Sequence, residues 1–63
     1  MIIRESDSDD FVIELDRSEL LLLSHAVNEA CNGIENWEFS TRVGASRDRA
    51  MELLDEIGHA LER

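Results

Sequence analysis

Apolar and polar residues alternate near the start of the chain and then change period. Phe11-Val12-Ile13-Glu14-Leu15 places Phe11, Ile13 and Leu15 on one face and Val12 and Glu14 on the other, with the β-branched and aromatic residues that favour a strand. Residues 1–4 read as a second strand. The six polar residues Glu5-Ser6-Asp7-Ser8-Asp9-Asp10 between them suit a loose hairpin connection. From Asp16 onward the period becomes helical. Asp16 and Glu19 have the spacing of a capping box, and Gly33 sits where a helix closes in the left-handed conformation. Between them Leu20, Leu23, Val27, Ala30, Cys31 and Ile34 form one stripe, opposite His25, Asn28, Glu29 and Asn32. Leu21 and Leu22 widen the apolar arc. One of the two is expected under the hairpin, while Leu21, aligned with His25, Asn28 and Asn32, is expected to face solvent.

Residues 35–45 carry a shorter signal. Phe39 and Val43 are an i, i+4 pair, which predicts a short helix near 37–43 closing at Gly44. Ser46 then caps a last helix over 47–62, with a core stripe of Ala50, Leu53, Leu54, Ile57 and Leu61 and Met51 on its flank. Gly58 costs that helix about 1 kcal/mol relative to alanine, a sign of close packing there or of a frayed end. The predicted architecture is a single small α+β domain over 1–63, mostly α: an N-terminal β-hairpin (1–15) packed on a two- to three-helix bundle, the first helix spanning 17–32. A two-stranded hairpin is not stable alone, so it must lie on helices or pair its edge with another chain.

Length sharpens the problem of stability. A chain of 63 residues buries only about 60% of the surface its unfolded form exposes. Cys31 is the single cysteine, so no internal disulfide can help, and Cys31, His25 and His59 lack metal-ligand spacing. No metal or cofactor is expected. Regular helix packing or association must supply the stability. No segment reads as a signal peptide, and the longest apolar run, Leu20 to Leu23, is too short to span a membrane. With a free thiol, this leads to the expectation of a cytoplasmic protein without membrane contacts.

Charge changes the picture most. Fifteen acids face six bases, a net charge of −9. The excess is local: Glu5, Asp7, Asp9, Asp10, Glu14, Asp16, Glu19, Glu29, Glu35 and Glu38 have only Arg17 among them. Such a surface repels nucleic acid and anionic membranes and attracts cationic partners, although plain solubility would also account for it.

The candidate chemistry points away from catalysis. Cys31 lies on the buried stripe, and His25, six positions earlier, is about 120° away around the helix. The carboxylates fall on exposed segments, and no glycine-rich phosphate loop is present. An enzyme is not expected. Asp7, Asp9 and Asp10 offer alternating oxygen ligands but lack the glycine a calcium loop needs. The segment Phe39 to Ala50 resembles the corner of a helix-turn-helix, with Arg47 and Arg49 at the start of the second helix. Asp48, Glu52, Asp55 and Glu56 share that helix, whereas DNA binding needs a basic face. Trp37, flanked by Glu35 and Glu38, either plugs the end of the core or stands out as an anchor ringed by acids.

The run Glu19 to Ile34, followed by Glu38-Phe39, Thr41-Arg42-Val43-Gly44 and Ser46-Arg47, resembles a pattern carried by small bacterial immunity proteins of contact-dependent growth inhibition and related polymorphic toxin systems. The likeness extends from Leu15 to Ile57. It implies a protein that binds and neutralises a cognate basic toxin domain, often a nuclease, and it transfers no interface residues. Charge complementarity then selects Asp7, Asp9, Asp10, Glu14, Glu35 and Glu38, with Trp37 as anchor, as the partner-binding residues. Two alternatives stand beside this expectation: a small regulator using the 39–50 corner on DNA, and a homodimeric accessory or structural subunit joined through the hairpin edge or Leu21.

Overall fold

The computed structural model describes residues 1–62. Strands β1 (Ile2–Glu5) and β2 (Phe11–Glu14) precede three helices, α1 (Arg17–Gly33), α2 (Asn36–Val43) and α3 (Arg47–Leu61). The fold is therefore α+β and mostly α, with the hairpin at the N-terminal end. The strands pair antiparallel with Ile2 opposite Glu14, Ile3 opposite Ile13, Arg4 opposite Val12 and Glu5 opposite Phe11. The acidic connection is tighter than its composition suggests. Ser6 N–H donates to the Asp10 carbonyl at 2.8 Å, and Asp9 takes the left-handed conformation at φ 65° that short polar side chains tolerate.

Local capping sets the helix starts. Asp16 accepts from the Glu19 N–H at 2.8 Å while the Glu19 carboxylate accepts from the Asp16 N–H at 3.1 Å, completing the capping box. Ser46 accepts from the Arg49 N–H at 3.1 Å at the start of α3. Gly44 closes α2 at φ 86° and donates to the Ser40 carbonyl at 2.9 Å. Gly33 departs from expectation. It is the last residue of α1 without a positive φ, and the chain leaves the helix through Ile34 in extended conformation. A left-handed exit would have turned the chain back on α1, whereas the extended exit carries it across to α2.

Helices α1 and α3 form the main packed pair, with α2 against α3. The Arg17 guanidinium donates to the Leu61 carbonyl at 2.7 Å, tying the start of α1 to the end of α3. That bond satisfies a carbonyl that the helix terminus would otherwise leave free. Cys31, Phe39 and Ala50 make the buried centre, one residue from each helix, with Val27 and Ile34 against them.

The inward face of α1 runs through Leu20, Ser24, Val27, Ala30, Cys31 and Ile34, so a serine takes the place expected for Leu23. Leu23 lies about 100° around the helix from Ser24 and turns toward the hairpin instead. On α3 the inward residues are Ala50, Leu54, Ile57, Gly58 and Leu61. Leu53 is exposed, against expectation, because a helix covered mainly by one neighbour buries only a narrow stripe. Gly58 is half-buried, but an added Cβ would meet nothing within 4 Å, so close packing does not explain it.

Candidate binding surfaces

Helical periodicity decides which aromatic goes inside. Phe39 points into the core at the centre of α2, and Trp37, two residues earlier, is about 200° away around the same helix. Trp37 is consequently 78% exposed, which rules out a core plug. Glu35 precedes α2 without making a side-chain cap, and Glu38 pairs with Arg42 at 3.7 Å. The surface at this end is an indole flanked by Glu35 and by Glu38, the latter sharing its charge with Arg42.

The arginines of the corner serve the fold. Arg47, expected near a recognition helix, turns inward: its guanidinium lies 4.6 Å over the Phe39 ring and donates to the Ile34 carbonyl at 2.5 Å. Ile34 is where α1 ends, so this one side chain joins all three helices. The cation–π contact and the bond to an otherwise free carbonyl both favour holding the charge there. Its Nε is buried without a hydrogen-bond partner. Arg42 is taken by Glu38 and Arg49 by Glu52 at 3.3 Å. All three have a partner within the chain, Arg42 and Arg49 through exposed ion pairs, so the corner presents less uncommitted positive charge than the helix-turn-helix reading supposes.

A shallow depression of about 390 Å³ lies beside this junction, lined by Cys31, Asn32, Gly33, Ile34, Glu35, Asn36 and Arg47. It is open to solvent and part of the α1–α2 turn.

The hairpin carries the other predicted partner residues. Asp7, Asp9 and Asp10 are exposed at its turn, where the Ser8 hydroxyl donates to Asp10 at 3.3 Å. Glu14 is committed to an ion pair with Arg4. The structure therefore separates the seven candidates into two groups: Asp7, Asp9, Asp10 and Glu14 on the hairpin, and Glu35, Trp37 and Glu38 at α2. The main packed element pairs are α1 with α3, β1 with β2, and α2 with α3, so the hairpin and α2 are not packed directly on each other. Among the described residues no group of three His, Cys, Asp or Glu side chains is placed to hold a metal ion, and no helix is long and apolar enough to cross a membrane.

One surface had not been singled out from the sequence. Between the hairpin and α1 runs a groove of about 370 Å³ lined by Met1, Ile13, Leu15, Glu19, Leu22, Leu23 and Ala26. Glu19, Leu22, Leu23 and Ala26 form a second stripe on α1, beside the one that meets α3. The signal was available in Leu20 to Leu23, since four consecutive leucines cannot all face one neighbour. At the mouth of the groove the Met1 ammonium sits 2.9 Å from the Glu19 carboxylate. That hydrogen bond, and then the bond from the Asp16 backbone, hold the Glu19 carboxyl below the usual range.

In comparisons with known protein families, characterised proteins and solved structures, nothing matches this chain.

Proposed function

We propose that this chain is a non-catalytic acidic binding domain that neutralises a basic partner protein. The resemblance to immunity proteins suggests a toxin domain, and a nuclease is the class whose phosphate-binding groove would best meet an acidic surface. The observation that carries the proposal is the exposed Trp37 beside Glu35 and Glu38, on a corner whose arginines are all engaged within the chain. An exposed indole with a carboxylate rim has the composition of an interface anchor, because the aromatic supplies desolvated area and the rim supplies orientation and association rate. Asp7, Asp9 and Asp10, at the hairpin turn, extend the negative field, and they contribute chiefly to steering.

The test is capture from extract of the native cell on immobilised protein, with retained proteins identified by mass. A basic protein that is retained at low salt, released by added salt and inhibited by the chain is the expected result. Trp37→Ala combined with Glu35→Lys and Glu38→Lys should abolish retention, and lysine at Asp7, Asp9 and Asp10 should weaken it through the association rate. Equal retention by the Trp37 variant and the unaltered protein would refute the assignment of this surface.

A further inference from the structure

We infer that the apolar face of the hairpin, together with the α1 groove beside it, is the contact between two copies of this chain. The first argument is one of area. A folded monomer of 7.2 kDa is expected to expose about 4,100 Å², whereas this chain exposes 5211 Å². The excess, about 1,100 Å², is of the size that each partner buries in a standard interface, about 800 Å².

Six of the thirteen exposed large apolar residues, Met1, Ile3, Phe11, Ile13, Leu22 and Leu23, belong to one side of the hairpin and the groove beside it. In the strand register Ile3 faces Ile13 and Glu5 faces Phe11, and these four point to the same side of the hairpin. The opposite side carries Ile2 and Val12 with the Arg4–Glu14 ion pair, so it is amphipathic and tolerates water. Ile13 continues directly into the groove with Leu15, Leu22, Leu23 and Ala26.

Charge selects the second copy as the occupant. Glu19 is the one carboxylate lining the groove and is matched by the Met1 ammonium, while Glu5 lies on the hairpin part of the face. The face is thus close to neutral within a chain of net charge −9, a place where two like-charged molecules can meet. A basic partner would find its complement at the hairpin turn or around Trp37 instead. The cover must also be present whenever the chain is folded, since three buried residues and an open hairpin make a poor core. A symmetric pair, each hairpin face set on the groove of the other, supplies it.

Sedimentation equilibrium of the full chain, in buffer without any partner, reads this directly. A mass of about twice 7.2 kDa is expected at micromolar concentration. Raising salt from about 0.05 to about 0.5 M should strengthen the dimer by screening like charges, the reverse of its effect on a basic partner. Val12 and Ile13 are adjacent on β2 and equally exposed, 52% and 53%, but face opposite sides. Ile13→Glu should raise the dissociation constant at least tenfold, Leu22→Glu should do the same, and Val12→Glu should leave it within about twofold. A monomer at all concentrations up to about a millimolar overturns the proposal, and so does a dimer that Val12→Glu disrupts and Ile13→Glu does not. The unaltered chain suffices for the first reading, so misfolding of a variant cannot obscure it. Trp37→Ala should not change the mass, which keeps this result separate from that of the partner-capture experiment.

Discussion

The helical unit and the hairpin use similar residues and reach opposite states. Phe39 in α2 is 2% exposed and Phe11 in β2 is 61% exposed. Around Phe39, three helices each contribute a buried residue, and Arg47 closes the centre with a stacked guanidinium bonded to the end of α1. Around Phe11 there is one partner strand and water. The difference teaches that pairing backbone groups is not enough to protect a side chain. A ladder of four residue pairs satisfies N–H and C=O groups but covers neither face of the sheet. A helix satisfies its own backbone and is free to spend its contacts on a neighbour. The helices therefore form the stable part of this molecule, and the hairpin is the part whose stability depends on what covers it.

The sharpest way to break that contrast is to truncate each phenylalanine. Phe39→Ala should cost about 3–5 kcal/mol, enough to unfold a domain of this size, whereas Phe11→Ala in the isolated monomer should cost less than about 1 kcal/mol. Urea unfolding followed by helical circular dichroism measures both, and comparable losses would show that the hairpin is as well packed as the helices.

Arg47 gives the next largest effect. Arg47→Leu removes the stacked cation and leaves the Ile34 carbonyl without its donor, at an expected cost of about 1–3 kcal/mol. Lysine should restore only part of this, since an ammonium cannot stack and fork as a guanidinium does. If Arg47→Leu were neutral or stabilising, Arg47 would not be the joint between the helices.

The glycines then separate backbone need from packing. Gly44→Ala forces alanine to φ 86° and should destabilise by about 1–2 kcal/mol. Gly58→Ala meets open space within a helix and should stabilise by about 0.5–1 kcal/mol. Paired melts of the two variants, moving in opposite directions, check both.

The smallest effect is electrostatic and lies where the two regions meet. Glu19 has a carboxyl held below its unfolded value, so its contribution is fully present above the ordinary carboxylate range and is lost as pH falls through the lowered value. The group is exposed, and the loss should be modest. Glu19→Gln keeps the capping-box geometry while removing the titration, so the acid limb of the melting-temperature profile should flatten without loss of helix. A profile identical to that of the unaltered chain would remove Glu19 from the acid response.

Much of the helical unit was legible in the residues themselves. The Asp16–Glu19 box, the Ser46 cap and the left-handed Gly44 are interactions spanning three or four positions, and local chemistry suffices to write them. The same holds for the strands, whose alternation needs only a period of two. Burial within each helix was less legible. Leu23, Leu53 and the exit at Gly33 were misplaced because each depends on where a neighbouring element lies, which no spacing records. The candidate partner residues were legible as charges but not as a surface, since Glu14 is paired with Arg4 and Glu38 with Arg42, and the seven divide between the hairpin and α2.

The sequence alone thus determined the type of each element, its place to within a residue, and the sign of the net charge. These follow from capping groups, hydrophobic period and charge count, all properties of neighbours along the chain. Tertiary structure decided which apolar residues are covered. It turned Trp37 out and Phe39 in, set Arg47 over the Phe39 ring, and left the Ile13–Leu22 face open. The reason is physical: a residue's own chemistry sets its preference for burial, but only the arrival of another surface from far along the chain, or from a second molecule, can satisfy it.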